Sequence, residues 1–189
     1  MQAEFTNLIT NYGYLAIFLM VFLQELGIPN PITNEFVLLF CGYLTSINKL
    51  NFFLVFLSAV SADFIGTSVL FFIFYFFGKK VLENKPKWLP IKQENIEKLS
   101  SSISNRGWWG IYVGRLIPYV RGYISVASGL LQVKFKTFIL TVILSAVTWS
   151  GGYVTIGHFL GKHWKKFAVS ANNTKIIFII WGIIVLIYF

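Results

Sequence analysis

The sequence predicts an all-α integral membrane protein. Two inverted repeats, each a re-entrant helical hairpin followed by a transmembrane helix, precede an additional C-terminal transmembrane helix. Three observations carry this. The 189 residues are 56% hydrophobic and only 12% charged, about half the charge of a soluble domain. Mean hydropathy is +0.69. The apolar segments come in an order that occurs twice, short arm, polar tip, short arm, long helix. The whole chain, 1–189, reads as a single membrane domain.

The first repeat covers about residues 11–78. Gly13 to Leu23 are apolar, the polar tip "ELGIPNPITNE" follows, and a second apolar arm runs from Phe36 to about Ile47. Each arm has about a dozen residues, and a full helical span needs about 20. Two short arms around a Pro- and Gly-containing tip fit a re-entrant hairpin; a pair of short tilted spans with the tip outside the bilayer is the alternative. Leu50 to Phe77 is long enough to span, carries Asp63 near its middle, and is expected to end at Gly78 and the two lysines. Residues 79–106 are a basic loop whose "QENIEKLSSSI" suggests an amphipathic helix at the headgroups.

The second repeat covers about residues 105–161. "NRGWWGIY" at Asn105 echoes "NYGYLAIF" at Asn11, and apolar arms flank the tip "GRLIPYVRG". The spanning helix Phe135 to Leu160 ends in "LGKH" where the first ends in "FGKK". "SAV" occurs at Ser58 and Ser145, preceded at the same interval by Gly42 and Gly129. Three matches in the same order indicate an internal repeat. A hairpin returns to the side it entered and the helix after it crosses once, so the second repeat starts on the opposite side. That inversion is a transporter architecture. Residues 167–189 form the last expected helix. Most flanking Lys and Arg lie in 79–106 and at Lys134 and Lys136, which predicts that side to be cytoplasmic. The residues before the first arm contain Glu4 and no basic stretch, so no cleavable signal peptide is expected.

Five ionisable residues fall within membrane segments: Glu25, Glu35, Asp63, Arg115 and Arg121. A charge at the bilayer centre costs about 2.5–3.5 kcal/mol on insertion scales, so these residues need pairing, water or a function. If the tips meet at the midplane, acids compensate guanidiniums, and a set of ion pairs locking the hairpins is one complete reading. The other uses the same contacts. A guanidinium is always charged and its planar fork matches phosphate oxygens, so Arg115 and Arg121 could clamp a phosphate entering from the membrane. Glu25 or Glu35 would take up a proton as its arginine turns to the ligand. Asp63 is either a third acid facing the tips or a hydrogen-bonding group between helices. Gly114 and Gly122 are expected to let the backbone leave helical geometry and expose amides to an anion. Pro29, Pro31 and Pro118 break the arms.

The net charge of +9 flanks apolar segments, which fits anionic headgroups and not nucleic acid. Cys41 is a packing residue, and no Cys and His have metal-ligand spacing. No cofactor is expected. An intramembrane phosphatase would want His near the arginines, and His158 and His163 are far from them in sequence. A proton-coupled solute or ion transporter would use the same acids around a water-filled cavity. Oligomeric state is not encoded in these patterns.

The order "E…P-x-P…E", a span ending in "GKK", then "GRLIPYVRG…ASG" and a helix with mid-span Trp149 resembles the DedA family, also called the SNARE-associated or VTT domain. The resemblance covers about Tyr12 to Lys162. The first tip departs from it: relatives read "PxPGE" or "PxPSE", and this chain has "PNPITNE". The resemblance implies a multi-pass protein of the cytoplasmic membrane that moves lipids between leaflets without bond chemistry. Its bacterial members are associated with undecaprenyl phosphate recycling or phosphatidylethanolamine translocation, with dependence on the proton-motive force. By position it implies Glu25 and Glu35 as functional acids and Arg115 and Arg121 as functional arginines.

Overall fold

The computed structural model describes residues 2–28, 32–83, 93–118 and 120–161. Pro29, Pro31 and the expected helix at 167–189 lie outside them. Seven helices make up the described fold, α1 (Gln2–Glu25), α2 (Asn34–Ser46), α3 (Phe52–Glu83), α4 (Gln93–Arg106), α5 (Trp108–Arg115), α6 (Arg121–Leu130) and α7 (Phe135–Leu160). Two are long and apolar enough to cross a membrane, Phe52–Gly78 of α3 and Phe135–Leu160 of α7. At about 1.5 Å per residue each exceeds a hydrocarbon core of about 30 Å. The helix of α3 does not stop at Gly78 but continues to Glu83, because nothing in "KKVLE" interrupts helical geometry.

The two spanning helices run antiparallel. The Phe71 ring stacks on Phe138 at 4.0 Å and Phe72 meets Phe135 at 5.1 Å, while at the other end Phe52 meets His158 at 5.7 Å. Around them the arms are exchanged. The first arms, α1 and α5, lie on α3 and α7, the helices that follow them in their own halves. The second arms cross over, so α2 packs on α7 and α6 on α3. Small residues make these crossings close. A Cβ on Gly42 would fall on the backbone of Val154, Gly157 and His158, and one on Gly129 would fall on Phe71 and Tyr75 backbone atoms.

The halves also share backbone devices. Gly13 kinks α1 at φ 52, ψ −126, and Gly107 begins α5 at φ 58, ψ −134. L side chains are strained there and glycine is not. Each second arm ends in the same hydrogen-bonded stop. Lys49 N–H bonds Leu44 O and Asn48 N–H bonds Thr45 O; Val133 N–H bonds Ser128 O and Gln132 N–H bonds Gly129 O. In both, the residue carrying positive φ (Asn48, Gln132) sits where this cap requires it.

Two apolar clusters fill the interior. One joins α1 and α2 to the first part of α3 and the last part of α7, through Ile17, Val37, Ala59 and Val154. The other joins α4, α5 and α6 to the remaining parts, through Phe71, Ile111, Ile124 and Phe138. Large apolar side chains such as Phe53, Phe76, Leu140 and Phe159 face outward. On a chain of this composition they are a surface for lipid.

Candidate functional site

A layer of buried polar side chains lies between the two apolar clusters, at mid-length of both spanning helices. Asp63 and Thr67 enter it from α3, Ser145 and Trp149 from α7, and the tips supply the rest. Glu25 is the last residue of α1, where Gly27 at φ 84 closes the helix and turns the chain away. Gly66 lets α1 come down on α3, because a Cβ there would lie 2.8 Å from that of Glu25. Arg115 ends α5 and Arg121 begins α6, separated by a tight turn in which Pro118 O accepts Val120 N–H.

The turn brings both guanidiniums onto one carboxylate. Arg115 Nη2 donates to Asp63 Oδ1 at 2.6 Å, and Arg121 Nη2 pairs with Asp63 Oδ2. Arg121 Nη2 also pairs with Glu25 Oε1 at 3.0 Å, and Asn34 Nδ2 donates to that same oxygen at 3.1 Å. Thr67 Oγ stands between the carboxylates, 3.1 Å from Asp63 Oδ1 and 3.3 Å from Glu25 Oε2. It has one proton, so it serves one of them at a time. Two positive and two negative side chains thus form a closed, neutral set, which makes their burial affordable.

The arginines are not equivalent. Arg115 is fully buried, and besides Asp63 its Nε donates to Ser145 Oγ at 2.8 Å and its Nη1 to Ser125 Oγ at 3.0 Å. All three of its nitrogens are used. Arg121 bonds through Nη2, its Nε is buried without a partner among the described residues, and its side chain is 9% exposed. Its guanidinium lies over the Trp149 ring, 5.2 Å from the centroid. The geometry holds Arg115 fixed and leaves Arg121 Nε as a spare donor among the described residues.

Of the candidate residues, Glu25, Asp63, Arg115 and Arg121 come together. Glu35 does not join them. It is half-buried in the first turn of α2 and makes no ion pair among the described residues; the neighbouring Asn34 points inward in its stead. Gly114 and Gly122 do not leave helical geometry. Gly114 lies within α5, its missing Cβ occupied by Ile124, and Gly122 is in the first turn of α6 beside open space. Helix α5 ends at Arg115 and α6 begins at Arg121, so neither needs a break at its glycine. Asn34, Thr67, Ser125 and Ser145 were not distinguished by sequence. Ser145 had a signal in its repeated triplet, but only the helix register shows which small polar residues face inward.

His158 sits at the far end of α7, its Nδ1 2.8 Å from Thr45 Oγ. Cys41 is buried on α2. Neither is within the charged set, and His163 lies outside the described residues. Among the described residues no group of His, Cys, Asp and Glu could hold a metal.

The chain belongs to the VTT domain family, the DedA family: the VTT domain model matches residues 28–159. It is 24% identical, over all of its length and 94% of the relative's, to undecaprenyl phosphate transporter A of Staphylococcus aureus. It is 27% identical, over 99% of its length and 92% of the relative's, to undecaprenyl phosphate transporter A of Bacillus subtilis. An alkaline phosphatase-like protein of Lactococcus lactis is 25% identical over 97% of this chain and 88% of its own. No solved structure matches. Family and relatives make this a membrane protein of a family whose named members include transporters.

Proposed function

We propose that this protein moves a phosphate-bearing lipid between the leaflets of the cytoplasmic membrane, undecaprenyl phosphate before phosphatidylethanolamine, with a proton coupled to the movement. The two halves act as inverted repeats whose arms are re-entrant hairpins. The observation that carries the reading is the placement of Arg121, a guanidinium whose Nε has no partner among the described residues, at mid-length of two antiparallel apolar helices. A lipid head passing that point meets a positive group whose burial is already compensated, and the tail stays among the outward apolar side chains. The names of the two relatives at 24% and 27% identity support the lipid.

Glu25 is the acid that yields. It holds Arg121 through one nitrogen, whereas Asp63 bridges both arginines. A proton on Glu25 leaves Arg121 held by Asp63 alone and turns its positive charge toward the phosphate, while Asp63 keeps Arg115 in place. Glu35, one residue beyond Asn34 and half-buried, relays protons toward Glu25. No bond is made or broken in the lipid.

The test is transport by purified protein in liposomes, with undecaprenyl phosphate and phosphatidylethanolamine compared and free phosphate assayed in parallel. The reading expects undecaprenyl phosphate to cross faster and no phosphate to be released. Release of phosphate would favour the phosphatase chemistry that the Lactococcus lactis name suggests.

A further inference from the structure

The charged set leaves three buried groups beside it unsatisfied. Arg121 Nε–H and Trp149 Nε1–H are donors without an acceptor, and Asn34 Oδ1 is an acceptor without a donor, among the described residues. Arg121 and Trp149 are each more than nine-tenths buried, and Asn34 is 2% exposed. A buried polar group without a partner costs about 1–3 kcal/mol, so three in one place need a common explanation.

Their side chains are neighbours. The Arg121 guanidinium is 5.2 Å from the Trp149 ring centroid. Asn34 and Arg121 share Glu25 Oε1, at 3.1 and 3.0 Å. The packing of α2 on α7 brings Asn34 to the level of Trp149 as well. Gly42 meets Val154 and Gly157, and further along Thr45 meets His158, so the two helices run parallel and the start of α2 lies near residues 149–153.

Two donors and one acceptor on three neighbouring side chains would, if one ligand met all three, specify its chemistry. The ligand must accept at two oxygens and donate at a third. We propose that Arg121, Trp149 and Asn34 form a receptor for a phosphate monoester carrying one proton, whose P–OH donates to Asn34 Oδ1 while its other oxygens accept from Arg121 Nε and Trp149 Nε1. This rests on the lipid-phosphate reading above and narrows it. A sulfate monoester has the same shape and a single charge but no proton to give, so it leaves Asn34 Oδ1 facing an oxygen. Arg115, with its nitrogens all engaged, is outside the receptor.

The experiment uses the full chain in nanodiscs and two soluble probes, hexyl phosphate and hexyl sulfate, at pH 6, where about half of a phosphate monoester carries one proton. Binding is read by calorimetry, and liposome transport of undecaprenyl phosphate is measured separately. Wild type is expected to prefer hexyl phosphate by about tenfold or more, the size of one mismatched buried hydrogen bond. Trp149→Phe keeps a ring under Arg121 and removes the N–H, so both probes should weaken by about threefold to tenfold with the preference intact. Asn34→Leu, or Asn34→Ala if the larger side chain prevents folding, should erase the preference and spare hexyl sulfate binding. Equal binding of the two probes to wild type, no binding of either, or an unchanged preference in a folded Asn34 variant would overturn the receptor. Loss of the receptor with lipid transport intact leaves the transport reading standing. Hexyl phosphate preference without lipid transport supports the receptor and removes the transport reading.

Discussion

The two halves of this protein share several backbone devices and bring opposite charges to the centre. Each starts its first arm at a glycine of the same unusual conformation, Gly13 or Gly107. Each ends its second arm in the same hydrogen-bonded cap and lays that arm across the other half's spanning helix. Yet the first half brings Glu25, Asn34 and Asp63 to the centre and the second brings Arg115 and Arg121. These backbone devices are shared between the halves and the side-chain chemistry at the centre is divided between them. One half alone would bury like charges; both together bury a neutral set.

Substitutions measure how far that division holds. The most severe is expected from Asp63→Asn, which takes the bridging acid from both arginines and leaves Glu25 against two guanidiniums. Removing one partner of a buried pair costs about 3–5 kcal/mol, so the melting temperature in detergent should collapse, whereas Glu25→Gln should fold and fail in transport. Next come Gly42→Val and Gly129→Val. Each drives a side chain into facing backbone and should cost about 1–3 kcal/mol or more; a large loss at one site with none at the other would refute equivalent crossings.

The arginines should then separate by readout. Arg115→Lys loses its bonds to Ser125 and Ser145 and is expected to lower thermal stability. Arg121→Lys keeps a charge against Glu25 and Asp63 but loses the planar fork, so stability should hold while transport falls by about tenfold. Gly13→Ala and Gly107→Ala should each cost about 1–3 kcal/mol through backbone strain alone, and by similar amounts. The mildest change in stability is expected from Glu35→Gln, within about 0.5 kcal/mol, since Glu35 makes no ion pair among the described residues. A proton-relay role would still show as a shifted pH dependence of transport.

Much of this arrangement was legible in the sequence because charge is conspicuous in an apolar run. Arg115, Arg121 and Glu25 stood out on those grounds, and the echo of Asn11–Phe18 in Asn105–Tyr112 marked where each half begins. Asp63 could be located but its direction could not, since a helix apolar on every side gives no phase for its single acid. Asn34 and Glu35 show the same limit from the other side. They are adjacent, the acid draws attention, and the amide is the one turned inward. Ser125, Ser145 and Thr67 are ordinary residues for a membrane helix until the register aims them at a carboxylate or a guanidinium. Gly114 and Gly122 misled because glycine serves close packing as readily as it serves a bend.

The crossing-over of the second arms means that neither half is closed on itself. A half-chain holding α1, α2 and α3 would present the glycine face of α2 with nothing to clasp, and an empty seat along α3. A matching half supplied as a separate polypeptide could fill both vacancies. Split between the halves and co-produced, the chain should reassemble as a heterodimer.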